Sequence, residues 1–137
     1  MQNGRGTAAG LRLLALRVGA GSMLLYGHGW GKLTHFSERA AKFSDPIGLG
    51  SQNGLALVVF AEVFCAAAIA LGLFTRLAAI PPIVAMSVAF FIHHAADPFG
   101  KKELALLYLV VFASIALMGA GPYSIDALLA RRRNGRG

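Results

Sequence analysis

The chain has 137 residues, of which 56% are hydrophobic and only 14% are charged. With a mean hydropathy of +0.62, it carries more apolar surface than a soluble protein of this size can bury, since soluble domains contain about 25% charged residues. The net charge of +7 does not indicate nucleic-acid binding, because the basic residues lie at the ends of apolar segments, where membrane helices meet the polar interface.

Four apolar stretches predict an all-α fold, namely an integral membrane, antiparallel four-helix bundle that forms a single domain over residues 1–137. The predicted spans are about 11–30, 54–74, 77–96 and 103–121, each near the ~20 residues that cross the hydrocarbon core. Short connections after the second and third spans favour antiparallel neighbours. A basic tail is predicted for residues 122–137.

The long connection at residues 32–53 carries a helical pattern of its own. Phe36, Ala40, Phe43 and Ile47 recur at the spacing of one helix face, and charged residues occupy the other faces. This pattern predicts a short amphipathic helix at the membrane interface in the first outer loop. The turn-forming residues 44–46 (SDP) are expected to end it.

The distribution of Lys and Arg predicts the orientation in the membrane. Of the 13 basic residues, eight lie on the side of the two termini: Arg5, Arg12, Arg17, Arg76, Arg131, Arg132, Arg133 and Arg136. Cytoplasmic segments of membrane proteins carry an excess of Lys and Arg. Both termini are therefore expected in the cytoplasm.

Glu62 lies in the middle of the apolar stretch 55–73. A carboxylate at that depth costs about 2.5 kcal/mol or more, which makes an intramembrane Glu a functional-site hypothesis. Arg17 in the first span is its expected partner, because a buried charge without one would be worse by several kcal/mol. The same pair could instead serve only to lock the first two helices together.

Other polar side chains gather toward the outer half of the predicted bundle and suggest an outward-opening pocket. Since adjacent residues point in different directions on a helix, only one of His93 and His94 is expected to face it. No catalytic residue is assigned. The predicted ligand-binding set is Arg17, His28, Lys32, Glu62, His93 and Glu103.

Two kinds of ligand fit this set. A quinone or quinol headgroup needs hydrogen-bond partners that can pass protons, which His and Glu supply. A metal could take a mixed N/O shell from His28, Glu62, Glu103 and one of the paired histidines. No Glu-x-x-His pair occurs and Glu62 lies deep, so the organic ligand is favoured and no metal is predicted. The lone Cys65 does not support thiol–disulfide chemistry.

Several segments carry a family resemblance. Residues 17–33 (RVGAGSMLLYGHGWGKL), the membrane Glu62, residues 71–76 (LGLFTR) and residues 121–126 (GPYSID) together resemble the DoxX family, over about residues 11–129. The resemblance implies a small four-span protein of the bacterial inner membrane, similar to subunits associated with a terminal quinol oxidase and with thiosulfate:quinone oxidoreductase. Because no haem, iron–sulfur or flavin motif is present, the redox centre would belong to a partner or be a diffusible quinone.

The expected function is that of a membrane subunit of a quinone-linked redox complex, which binds a quinone-like or other small ligand. Whether the chain catalyses a reaction itself is left open. Its expected partners are membrane lipid and a membrane or peripheral redox protein, with self-association open as well. The alternatives are a non-catalytic anchor that docks a partner enzyme, and a small-solute carrier, which four spans without an inverted repeat make less favoured.

Overall fold

The computed structural model describes the backbone of residues 2–136 and the side chains of residues 4–136. Within these limits all regular secondary structure is helical, with no strand. Three π-helical turns, Leu25–Gly29, Phe60–Cys65 and Ala89–His93, lie within or at the end of longer helices. The α-helices are α1 (Gln2–Leu24), α2 (Trp30–Thr34), α3 (Phe36–Lys42), α4 (Ser51–Val59), α5 (Ala66–Leu71), α6 (Thr75–Val88), α7 (Phe99–Met118) and α8 (Ile125–Asn134).

Three continuous helices in the described part of the chain are long and apolar enough to cross a membrane. They are Gly4–Thr34 with 31 residues, Ser51–Leu71 with 21 residues and Thr75–His93 with 19 residues. A crossing needs about 20 residues. The chain is therefore a membrane protein, and the first three predicted spans correspond to these helices.

The fourth predicted span, 103–121, corresponds to α7, which does not meet the same requirement. α7 has 20 residues, but Lys101, Lys102 and Glu103 occupy its first two turns. These charges leave an apolar stretch of only residues 104–118, which is short of a full crossing. The structure thus shows three candidate spans where the sequence predicted four.

The long helices pack around one core. α1 packs against α5 and α7, and α6 packs against α5 and α7. The core side chains are Leu24, Ala66, Ile69, Ala78, Ala79, Met86, Tyr108, Phe112 and Ile115. The molecule has two ends. The terminal end comprises residues 2–17, 72–76 and 119–136, and the loop end comprises residues 30–50 and 93–103.

Glycine permits the closest approach between the first two long helices. A Cβ atom on Gly21 would lie 2.7 Å from the carbonyl oxygen of Ala66, and one on Gly29 would lie 2.6 Å from the carbonyl oxygen of Glu62. Small residues allow such backbone contact, which stabilises helix pairs in lipid by van der Waals packing. The pairing is antiparallel, since the later glycine meets the earlier partner.

The loop helix predicted around residues 36–47 is present as α3, but it is shorter. It ends at Lys42, and Phe43 is extended with φ −68° and ψ 123°. Phe36, Ala40 and Phe43 pack on a second apolar cluster formed by Leu55, Val59 and Val63. The apolar face of α3 therefore packs at least partly against α4 and the π-helical turn that follows it.

Helix boundaries at the terminal end also differ from the prediction. Thr75 already begins α6, so residues 72–74 alone form the turn after α5. The predicted tail contains a helix, α8, because Ser124 caps its start: the Ser124 Oγ accepts a hydrogen bond from the Ala127 amide at 3.1 Å. A side-chain oxygen at this position satisfies an amide that the helix leaves unpaired.

Gly29→Ala should destabilise the protein, because the added methyl group would overlap the backbone at Glu62. Overpacking of this kind costs roughly 1–3 kcal/mol. Thermal unfolding in a fixed detergent measures the effect. Gly27→Ala is the matched control, since Gly27 lies in the same π-helical turn with open space around it; it should be neutral or slightly stabilising. Equal unfolding temperatures for the two variants would contradict the prediction.

Candidate functional site

A buried ion pair joins the first two long helices near the loop end. The Nζ of Lys32 lies 2.5 Å from the Oε2 of Glu62. The Glu62 side chain is 6% exposed and that of Lys32 is 22% exposed. The close approach at Gly29 brings the two helices near enough for this contact. The carboxylate thus has its counter-charge within the protein, as an acid inside a membrane requires.

Each π-helical turn carries one of the predicted site residues. His28 lies in Leu25–Gly29, Glu62 in Phe60–Cys65 and His93 in Ala89–His93. A π-helical turn inserts an extra residue into the helix and so changes the direction in which nearby side chains point; such turns occur frequently at functional sites. The first two of these turns pack against each other, and the second and third both contribute residues to one cavity.

The ion pair forms part of the wall of a chamber of about 240 Å³. The polar lining includes Lys32, Glu62, His93 and His94. The remaining lining is mostly apolar and comes from the loop after α3, from α4 and from the second half of α6 and its π-helical turn. The chamber therefore combines a cation, a carboxylate and two imidazoles in a small apolar enclosure.

Both adjacent histidines line the chamber, so the expectation that only one would face it was wrong. The helix ends at His93, and His94 has φ −101° and ψ 20°, outside the helical region. The two rings meet edge to face with centroids 4.4 Å apart. The His93 ring contacts the Ser44 hydroxyl at 3.2 Å, and the His94 ring contacts the carboxylate of Asp97 at 2.6 Å.

His28 approaches the same region through an aromatic contact. Its half-buried ring lies edge to face against the ring of Tyr108, with centroids 5.7 Å apart. Tyr108 is buried in α7 and lies within electrostatic range of Glu62. The sequence reasoning missed Tyr108, although a hydroxyl in the middle of an apolar stretch was a usable signal, because buried Tyr hydroxyls usually find a partner.

Two further cavities share lining residues with the chamber. One is an apolar groove of about 320 Å³, which shares Phe43, Pro46, Val58, Ala85 and Val88 with it. The other is a polar vestibule of about 630 Å³ at the loop end, which shares Lys32, Phe43, Ser44 and His93. The chamber thus lies between an apolar groove and a polar opening.

Arg17 does not pair with Glu62, so that prediction was wrong. Its guanidinium is fully buried and donates to three backbone carbonyls: Nη1 to Ile69 at 3.1 Å and to Ala70 at 3.2 Å, and Nη2 to Tyr123 at 2.5 Å. Carbonyls at the end of a helix lack partners within the helix, and they carry partial negative charge. Arg17 therefore ties α1 to the end of α5 and to the segment before α8.

Asp126 completes this arrangement at the terminal end. Its carboxylate accepts hydrogen bonds from the amides of Phe74 at 2.7 Å and Thr75 at 3.0 Å, and it interacts electrostatically with Arg17. Residues 71–76 and 121–126, which lie far apart in the sequence, thus meet in one cluster around Arg17. This cluster holds the turn between α5 and α6.

Glu103, the remaining predicted site residue, is exposed at the start of α7 and lines none of the three cavities. Within residues 4–136, no three or more His, Cys, Asp or Glu side chains are grouped so that they could hold a metal ion. The geometry brings together Lys32, Glu62 and His93, with His28 nearby through Tyr108. It separates these from Arg17 and Glu103.

The fold and the site together define a class: this is a helical membrane protein with an ion pair, Lys32–Glu62, between its helices. Residues 12–95 match the sequence profile of the DoxX family. This match covers more than half of the chain, which therefore belongs to the DoxX family. Comparisons with curated proteins and with solved structures gave no significant match.

Asp126→Ala should destabilise the protein, because it removes two hydrogen bonds from the turn before α6 and a carboxylate that interacts with Arg17. Loss of a helix-capping acceptor costs about 0.5–2 kcal/mol. Thermal unfolding in detergent measures it. Glu38→Ala removes an acid from an exposed pair, which contributes little, and it serves as the control. An Asp126→Ala protein as stable as the control would contradict this role.

The pKa of Asp97 is held below its ordinary range, first by the hydrogen bond from His94 and then by Lys101. A lowered pKa keeps this contact intact at neutral pH, and the contact is lost as the pH falls through that pKa. His94→Ala should therefore raise the pKa of Asp97, as followed by carboxyl NMR titration. His35→Ala, a change away from this contact, should not. An unchanged pKa in the His94→Ala protein would contradict the assignment.

Proposed function

We propose that this DoxX family protein is a membrane subunit of a quinone-linked redox complex and that it binds the headgroup of a quinone or quinol in the chamber beside Lys32 and Glu62. The chain itself carries no cofactor motif, so the redox centre belongs to a partner protein or is the quinone itself. On this proposal the protein holds and positions the ligand, as an accessory subunit does.

The observation that carries the proposal is the continuity between the polar chamber and the apolar groove. The groove is lined by Leu57, Phe60, Ile80 and Val84, all of which are exposed on the outer surface of the helices. In a bilayer this surface faces the acyl chains. A ligand with a polar ring and a long apolar tail, diffusing in the membrane, fits a chamber that opens sideways into such a groove.

The chemistry of the chamber wall supports a ring that carries carbonyl or hydroxyl groups. Lys32 offers N–H donors, Glu62 offers carboxylate acceptors, and His93 offers either role according to its tautomer. His94, whose Nδ1–H donates to Asp97, offers Nε2 as an acceptor when the ring is neutral. A quinone carbonyl needs donors, and a quinol hydroxyl needs an acceptor as well. Imidazole and carboxylate can also exchange protons with such a ligand.

The buried ion pair supports a binding role rather than a purely structural one. A buried pair gives little net stability, since desolvation offsets much of the Coulomb attraction. The terminal end is already locked by Arg17 and Asp126. In a site for a polar ligand, however, the two charges neutralise each other while the chamber is empty and offer a donor and an acceptor when the ring enters.

We further propose that α1, α4–α5, α6 and α7 form an antiparallel four-span bundle in the bacterial inner membrane, with α3 at the interface and both termini in the cytoplasm. The distribution of charge supports this orientation. The terminal end holds eight of the 13 Lys and Arg residues and one of the six acids, which matches a cytoplasmic face. Lys101 and Lys102 can extend to the headgroups, so that the short apolar part of α7 still crosses.

Binding of decylubiquinone to purified protein in nanodiscs tests the proposal. Trp30, the single tryptophan, lies two residues before Lys32 and reports on binding through its fluorescence. The native protein should show saturable quenching. Glu62→Gln and the double variant Lys32→Met, Glu62→Gln should weaken binding by about tenfold or more, the effect of losing a charged hydrogen bond.

Glu103→Gln is the matched control, because it removes an acid near the loop end that lines no cavity, and its binding should equal that of the native protein. Gel filtration checks that each variant stays folded. Quenching that rises only linearly with decylubiquinone, as membrane partition produces, would contradict the proposal. So would native affinity in a folded Glu62→Gln protein.

A further inference from the structure

A separate cavity lies at the terminal end of the molecule, where α6 begins and α7 ends. It has a volume of about 450 Å³. Its lining combines polar groups with large apolar side chains: Phe74, Thr75, Arg76, Leu77, Met118, Gly119, Ala120 and Asp126. None of these residues lines the ligand chamber, which lies at the opposite end of the helices.

Arg76 is the free cation of this cavity. It is exposed and takes part in none of the ion pairs found among residues 4–136. Its guanidinium lies across Gly119, where an added Cβ atom would be 3.2 Å from both Nε and Nη2. Gly119 thus leaves room for the guanidinium beside the end of α7.

One further feature makes the cavity suitable for an anion, and the acid in its lining is already compensated. The hydroxyl of Thr75 is buried and has no hydrogen-bond partner within the described residues. The carboxylate of Asp126 also lines the cavity, but it already accepts the amides of Phe74 and Thr75. Its charge is offset by these amides, by the start of α6 and by nearby Arg17.

The apolar part of the lining fits the upper part of acyl chains. Phe74, Leu77 and Met118 are all exposed and lie next to Arg76 in the same cavity. Exposed aromatic and aliphatic side chains beside a cation are typical of the interface of a bilayer, where a headgroup lies above the first methylene groups.

The charge of the molecule is concentrated at this end. This end holds eight Arg residues and one acid. The rest of the chain holds the other five basic residues and five acids, so its charges balance. α8 adds Arg131, Arg132 and Arg133 in its last turn. Its start is held in place, since the Asp126 amide donates to the Gly72 carbonyl at 2.9 Å. Clustered Arg residues next to a membrane helix attract anionic lipid.

We propose that this cavity binds the phosphate group of an anionic phospholipid, with Arg76 as its main ligand, the acyl chains against Phe74, Leu77 and Met118, and the arginines of α8 adding long-range attraction. The ligand is a lipid of the surrounding leaflet and not a free ion, because the cavity pairs the cation with an exposed apolar wall. This site is independent of the quinone proposal.

The test compares the thermal stability and the lipid adducts of the purified full-length protein, measured in detergent with added dioleoylphosphatidylglycerol or dioleoylphosphatidylcholine. The phosphatidylglycerol should raise the unfolding temperature more than the phosphatidylcholine does, and high salt should reduce the difference. In native mass spectrometry, Arg76→Gln should bind phosphatidylglycerol about tenfold more weakly, as expected for loss of a charged hydrogen bond. The double variant Lys101→Gln, Lys102→Gln, which removes two charges at the loop end, should bind it like the native protein.

Arg76 is exposed, so its substitution should leave the fold intact, which gel filtration checks. Four outcomes would overturn the proposal. The first two are equal effects of the two lipids on the native protein and native affinity in the Arg76→Gln protein. The third is the same stabilisation by inorganic phosphate alone, which would assign the site to a free anion. The fourth is loss of phosphatidylglycerol binding in the Lys101→Gln, Lys102→Gln control, which would show a general charge effect.

Discussion

A charge buried among apolar helices must have its compensation within the protein, and this constraint organises the whole molecule. Two charged side chains are buried in the described part of the chain, and the fold compensates them differently. Glu62 meets the ammonium group of Lys32 at 2.5 Å, whereas Arg17 is held by three carbonyl oxygens with Asp126 nearby. An ion pair can separate to admit a polar ligand, but a guanidinium bonded to the backbone of two other segments cannot move without disturbing them. The first arrangement suits a binding site, and the second suits a structural lock.

The backbone near Glu62 is shaped to allow the first arrangement. Gly29 lets the first two long helices touch at the backbone of Glu62. The three π-helical turns contain His28, Glu62 and His93. A regular helix would direct His93 and His94 to different faces. The local departure from α-helical geometry brings both rings to one chamber. Close packing and irregular turns therefore act together here, since the first fixes the distance between helices and the second fixes the direction of the side chains.

The two ends of the molecule have different physical characters. The loop end carries five basic residues and four acids. The chamber, the groove and the vestibule all have part of their lining there, so its free surface is concave and chemically mixed. The terminal end carries the net positive charge and is tied together by the bonds of Arg17, Ser124 and Asp126. This division fits the proposed orientation, with the basic end toward the cytoplasm. It also separates the proposed site for a membrane-diffusing ligand from the proposed site for a resident lipid.

The sequence by itself determined the class of protein, the first three long helices and the family, because hydropathy over about 20 residues and contiguous motifs are local properties. It also indicated Glu62, Lys32, His28 and His93, since polar groups in apolar segments stand out one by one. Only the tertiary structure decided which of them meet. Helix rotation and register depend on Gly21 and Gly29 and on the π-helical turns, which a regular 3.6-residue repeat does not predict. For this reason Lys32 replaced Arg17 as the partner of Glu62, Tyr108 joined the site from another helix, and Glu103 was left outside. Lys101 and Lys102 already show in the sequence that the apolar stretch of α7 is short. That α7 packs against α1 and α6 is seen only in the tertiary structure.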